Sequence, residues 1–238
     1  NINTWEYLER RLGEISIKTF DVDVITALLD ERIKQVAIFS PAYMMTGSHG
    51  CYNMYARKHE KWLRMVEKEL LLGNGFERIV EAKSLEEVYK ILLQCSFIGE
   101  FLAFQYAIDF NYSSVINFDE NSFVKAGIGA IRGIKKCFSD IGQYTFEDCI
   151  KYTQDNFDKY QQRYGYNDFK NLFGRQPQLI DLQNCFCETD KYLRVKMPEL
   201  LVGNVRIKQK FDKPKENIKF LFPEKWGLNK YMNQGLHL

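Results

Sequence analysis

No apolar run in the chain approaches the roughly 18 residues of a membrane-spanning helix, and no signal peptide stands at its start, so a soluble, intracellular, cytoplasmic protein without membrane association is expected. Histidine is scarce, and His49, His59 and His237 are isolated from one another. Six cysteines among 238 residues are too few and too scattered for a disulfide scaffold. Cys185 and Cys187 form a CxC pair, but no zinc-spaced partners follow, so neither a structural metal nor a bound cofactor is expected. No phosphate-binding loop with its Lys and Ser/Thr is present, and no GxGxxG stands between a strand and a helix with the required downstream acid. A complete nucleotide-binding core of either kind is thereby disfavoured. Long strand alternation and internal repeats are also missing, which leaves a mainly α-helical class.

What the chain does have is a large apolar and aromatic fraction. At 45% hydrophobic and 15% aromatic, it is no disordered segment. The length suits one domain over 1–238, or two closely fused lobes. Phe and Tyr, at 18 and 14 copies, exceed the usual needs of a core, so some should line a groove or pocket. The net charge of +2 conceals an asymmetry: residues 191–238 carry 11 Lys or Arg against 4 Asp or Glu, and the preceding 190 carry 22 against 27. The segment from about 195 is basic and irregular in pattern, which suits an anionic partner, nucleic acid first.

Helical periodicity runs through most of the chain. "DVDVITALLDERIKQ" has helical spacing with Asp21 placed as its cap, and Ser84 with Glu87 has capping-box spacing. "YARKHEKWLRMVEKELLLG" predicts one helix ending at Gly73, and "TFEDCIKYTQDNFDKYQQRYG" predicts another. Between them "FSPAYMMTGSHG" is a loop with an apolar middle, in which Tyr43 and Met44 could contact a stacked substrate or fold onto the core. "FIGEFLAFQYAIDFNY" is so apolar that it should be a central helix. Its polar exceptions, Gln105 and Asp109, are four apart and share a face. Either they satisfy groups in the core or they point into a functional pocket. Asp181 is placed to cap the helix "LIDLQNCFCETDKYLR", where Glu188, Lys191 and Tyr192 neighbour one another.

"FVKAGIGAIRGIKK" sets Gly127, Gly129 and Gly133 within seven residues. A glycine costs about 1 kcal/mol in a helix interior relative to alanine, so the stretch predicts a helix, a tight glycine turn and a second helix. Amides at such a turn could hold a phosphate, with Arg132, Lys135 and Lys136 beside it.

Three blocks in order, "FIGEFLAFQYAIDFNYS", "FDENSFVKAGIGAIRGIKKCF" and "CFCETDKYLR", resemble the helical family named for alpha-glutamyl/putrescinyl thymine pyrophosphorylase and 5-hydroxymethyluracil DNA kinase. They cover Phe97 to Arg194, and the earlier "IFSPAYMMTG" is similar as well. Two departures stand out: the family's "GPGA" turn is "GIGA" here, and Phe186-Cys187-Glu188 replaces its leucine-cysteine-glutamate. The resemblance implies a helix-hairpin-helix DNA-glycosylase-like fold, a monomer acting on double-stranded DNA that contains a modified pyrimidine. On it rests the expectation of a glycosylase that flips out and excises a bulky base such as glucosylated 5-hydroxymethylcytosine from phage DNA. A transferase or pyrophosphorylase in thymine hypermodification, and a nonenzymatic DNA-binding module, are the alternatives. The expected chemistry falls to Asp109, Glu188, Asp190 and Lys191; base recognition falls to Gln105, Tyr106, Tyr43 and Met44. The DNA backbone would be held by Gly127, Gly129, Arg132, Gly133, Lys135, Lys136 and Arg194.

Overall fold

The computed structural model describes residues 1–40, 43, 45–200 and 221–232. Most of the basic segment beyond 195, and Met44, lie outside them. Helices dominate, and the described residues hold no β-sheet, only an isolated bridge between Leu172 and Arg175. The chain divides into two compact units, Asn1–Lys83 with Glu87–Ala103 and Ser84–Glu86 with Phe104–Leu238.

In the first unit lie α1 (Ile2–Leu12), α2 (Val22–Arg32), α3 (Lys58–Met65) and α4 (Gly75–Glu81). The helices α5 (Leu85–Leu93) and α6 (Glu100–Tyr112) each cross the unit boundary in sequence. Asp21 caps α2 as its position predicts, accepting from the amides of Asp23 and Val24 at 3.0 Å each. Leu8, Ile25, Leu29 and Ile38 are buried together, with Tyr7, Phe20 and Leu63 against them. The apolar loop is tied to α3: Trp62 Nε1 donates to the Thr46 carbonyl at 2.8 Å, and Lys61 Nζ to that of Gly47 at 3.0 Å.

Two expected helices differ here. The one expected to end at Gly73 widens into a π-helical turn over Val66–Leu71. That turn brings Glu69 to the Tyr52 hydroxyl at 2.7 Å and to the Ser96 amide at 2.7 Å. The helix expected from Phe97 begins instead at Glu100, because Phe97 adopts a left-handed φ of 68°. A bulky residue there is strained, and its ring is held by Trp62 at 5.3 Å and His49 at 5.2 Å.

The second unit contains α7 (Ile128–Cys137), α8 (Phe146–Asp155), α9 (Phe157–Arg163), α10 (Leu179–Lys196) and α11 (Asn229–Met232). The long helix expected from Thr145 onward breaks at Asn156, whose side-chain amide donates to the Tyr152 carbonyl at 2.9 Å and competes with the helical ladder. Asp181 is not the cap of α10 but sits three residues inside it, accepting from the Gln178 amide at 2.8 Å. Helix α10 packs against α7 and α8, and Ala130, Ile134, Ile150, Leu179 and Leu182 are buried on these three elements.

Candidate functional site

The glycine stretch does not form two helices joined by a turn. Residues 113–127 contain no helix, and Gly127 is the extended N-cap of α7, with φ −72° and ψ 161°. Gly129 and Gly133 lie inside α7. A Cβ on Gly129 would meet Cys187 Sγ at 2.4 Å, and one on Gly133 would meet the Phe186 carbonyl oxygen at 2.0 Å. Their helix-propensity cost is therefore offset by close approach of α7 to α10. Two amides ahead of α7 are occupied: that of Ala126 donates to Glu147 at 3.0 Å, and that of Gly127 to the buried Gln183 at 3.3 Å.

The neighbouring charges divide into inward and outward sets. Lys136 Nζ lies 2.9 Å from Asp190 Oδ1, both side chains being 1% exposed. Arg194 closes on the other Asp190 oxygen at 3.0 Å. This buried triad joins α7 to α10, so its three members face one another rather than a phosphate or sugar. Outward lie Lys135, which is exposed 5.6 Å from the Phe146 ring centroid, and the half-buried Arg132. Lys191 and Glu188 form an exposed pair at 2.5 Å. The hydrogen bond from Lys191 to Glu188 raises the ammonium pKa, opposite to what an amine nucleophile requires.

On α6 the expected pair separates by depth: Gln105 is buried, Tyr106 half-buried and Asp109 at the surface. Although its carboxyl group reaches solvent, the protein around it removes enough hydration to push its pKa up. One turn along, burial raises the pKa of Tyr112, with smaller contributions from the charges of Glu120, Asp181 and Asp109. Tyr43 belongs to the first unit, where its ring lies 5.6 Å from that of Phe101.

Beside the end of α6 stands a cluster that sequence pattern did not single out. Arg175 pairs with Glu120 at 2.7 Å and Asp181 at 3.4 Å, and its guanidinium lies 3.8 Å from the Trp226 ring centroid. Trp226 Nε1 donates to Glu120 at 2.9 Å, and its ring meets Tyr112 edge to face at 5.1 Å. Lys225 donates to the carbonyls of Asn111 and Ile116, closing the C-terminal end of α6. The available signal was the rarity of tryptophan, at three copies. The C-terminal end of α6 thus meets this cluster through Tyr112, with Asp109, a carboxyl of raised proton affinity, three residues earlier on the same helix. Among the described residues no three His, Cys, Asp or Glu side chains group closely enough to hold a metal ion, and no helix is long and apolar enough to cross a membrane.

The sequence profile of the family described as "5-hmdU DNA kinase, helical domain" matches residues 1–201, and the chain belongs to that family. No curated protein and no solved structure matches it. The match corrects the expectation of a glycosylase. The family is named for a kinase, a phosphotransferase, so hydrolysis of an N-glycosidic bond and the base flipping that serves it are set aside in favour of transferase chemistry.

Proposed function

We propose that this member of the family acts in phosphoryl transfer to 5-hydroxymethyldeoxyuridine in DNA, engaging the DNA and presenting the hydroxymethyl group to a nucleoside triphosphate. The family match over residues 1–201 carries this reading. The acceptor chemistry is simple. The hydroxymethyl oxygen bonds to the γ-phosphorus, the bridging P–O bond breaks toward the diphosphate, and the hydroxyl proton passes to a base. Asp109 is that base: its carboxyl group is at the surface, and the raised pKa brings its proton affinity nearer to neutral pH than an ordinary aspartate's. The substituent on C5 of the pyrimidine projects into the major groove of a duplex, so it can be reached without extruding the base. Tyr106, half-buried three residues before the acid on α6, contributes to reading the pyrimidine, whereas Gln105 is buried away from it. Outward-facing Arg132 and Lys135 contact backbone phosphates, whereas Lys136, Asp190 and Arg194 hold α7 to α10.

The test supplies γ-labelled ATP and magnesium with matched duplexes containing thymine, 5-hydroxymethyluracil or 5-hydroxymethylcytosine. Label should enter the hydroxymethyluracil duplex and leave its glycosidic bonds intact. Replacing Asp109 by Asn should lower kcat by about 10²- to 10⁴-fold while DNA binding persists. Failure of the wild-type chain to label that duplex would overturn the proposal, and an unchanged kcat in the folded variant would remove Asp109 from it.

A further inference from the structure

In the first unit, the π-helical turn and α4 border an apolar groove that the phosphoryl-transfer reading does not use. The chain reverses sharply between them. Asn74 takes a left-handed φ of 59°, and a Cβ on Gly75 would meet the Glu69 carbonyl oxygen at 2.5 Å. The reversal brings Leu71 to the same groove as Phe76 and Val80, and Ile17 completes its apolar lining around a volume of about 320 Å³. Ile17 is 57% exposed, Val80 46%, and Leu72, next to Leu71 in the chain, 76%. Large apolar side chains gathered on one exposed face mark a contact surface, whereas scattered ones do not.

The charges around the groove choose its occupant. Its remaining lining residues are Glu77 and Glu81, which share one face of α4 with Phe76 and Val80 by three- and four-residue spacing. These carboxylates repel each other along the helix, and they would repel a DNA phosphate. Beyond Glu81 an adjoining groove brings in Arg78, Lys83 and Lys90, together with Glu87. Arg78 is turned to Gln94 at 2.9 Å. Glu77 and Lys83 are exposed, and among the described residues neither the Glu77 carboxylate nor the Lys83 ammonium has an ion pair. A face with an apolar centre and unpaired charges of both signs at its margin complements a copy of itself.

We propose that this face joins two copies of the chain in a twofold-symmetric dimer. In such an interface, wherever one residue meets a second across the axis, the second meets the first on the other side. Glu77 stands three residues before Val80 and Lys83 three after it. Antiparallel contact of the two α4 helices with Val80 on the axis therefore sets Glu77 of each copy opposite Lys83 of the other. The apolar centre leaves water, and two ion pairs form at its rim, where they select the register. The dimer stands in place of the monomer that the family resemblance implies, and it rests on nothing assigned to Asp109.

Sedimentation velocity on the full chain from about 1 to 200 µM tests this, a range that brackets the affinity of a small interface. The wild type should pass from monomer to dimer within it. Glu77→Lys and Lys83→Glu should each weaken self-association by about tenfold or more, because each sets like charges together at two places per dimer. The double variant should recover the wild-type association, since opposite charges face each other again. An equimolar mixture of the two single variants should recover it as well, because one copy of each restores both contacts. Val80→Asp should abolish the dimer, and thermal unfolding should show this exposed position to be neutral for the fold. A wild-type chain that stays monomeric throughout overturns the proposal and leaves the groove to a different protein. A dimer indifferent to both single charge reversals overturns it too, by placing the interface elsewhere.

Discussion

Replacing Gly133 with alanine inserts a methyl group 2.0 Å from the carbonyl oxygen of Phe186 and 2.7 Å from its carbonyl carbon. Backbone atoms cannot rotate away, so α7 must move off α10. Alanine gains about 1 kcal/mol of helix propensity, while overpacking costs about 1–3 kcal/mol and belongs at the top of that range when the obstacle is main chain. The net expectation is a loss of roughly 2 kcal/mol, or a fall of about 4–8 °C in Tm for a chain of this size. Gly129→Ala provides an internal contrast, because its methyl would meet Cys187 Sγ at 2.4 Å but the Cys187 Cβ at only 3.4 Å. Adding Cys187→Ala removes the sulfur, and the double variant should recover most of the loss with a coupling of about 1–2 kcal/mol. No side-chain truncation at Phe186 should rescue Gly133→Ala. Calorimetry or urea unfolding of these variants, set beside DNA titrations over a range of salt, decides the matter. If Gly133→Ala is as stable as wild type while its DNA affinity and salt slope fall, these glycines serve phosphate contact and the packing argument is refuted.

The buried triad and the isolated buried histidine give two more tests. Asp190→Ala leaves Lys136 and Arg194 facing each other without their carboxylate, and should cost about 3–5 kcal/mol in unfolding experiments; a loss under 1 kcal/mol would mean that the triad is not holding α7 to α10. His59 is 4% exposed, and desolvation lowers its pKa below the ordinary 6.5 despite the nearby Asp30 carboxylate. The unfolded state then binds more protons than the folded one, so this contribution is fully present above about pH 6.5 and is lost as pH falls toward and through the lower folded value. Urea midpoints of wild type and His59→Gln between pH 5 and 8 should show the slope in the former alone. Asp109 has the opposite sign, its raised pKa favouring the folded state as pH falls, so Asp109→Asn should gain stability at neutral pH as it loses turnover.

Which parts of this structure were legible in the sequence follows from the range of the forces involved. Asp21 capped its helix because capping needs only neighbouring amides, and the apolar composition of α6 marked a helix with most of its residues buried because burial follows composition. Helix breaks were less accessible. Asn156 and Phe97 interrupt periodic segments through a side-chain bond and a left-handed backbone, the latter held by the rings of Trp62 and His49 far away in sequence. The glycines show the same limit from the other side. Their cost in a helix was evident, but whether a turn or a close helix contact repays it depends on Cys187 and Phe186, more than fifty residues on.

Charge is where sequence reasoning was least able to assign roles, since the same residue types build a core pair or a contact surface. Lys135 and Lys136 are adjacent, yet a helical step of about 100° sends one to solvent and the other into Asp190. Asp109 and Asp190 are both aspartates on amphipathic surroundings; one reaches water with a raised pKa, the other is enclosed by two cations. Function follows from that partition rather than from the number of charges: a buried carboxylate ion-paired through both oxygens is a strut, and an under-hydrated one at the surface retains the capacity to accept a proton. Trp226 then matters because, from beyond the matched residues 1–201, it packs on Arg175 and on Tyr112 at the end of Asp109's helix, so that end of α6 is covered in part by a residue outside what the family profile spans.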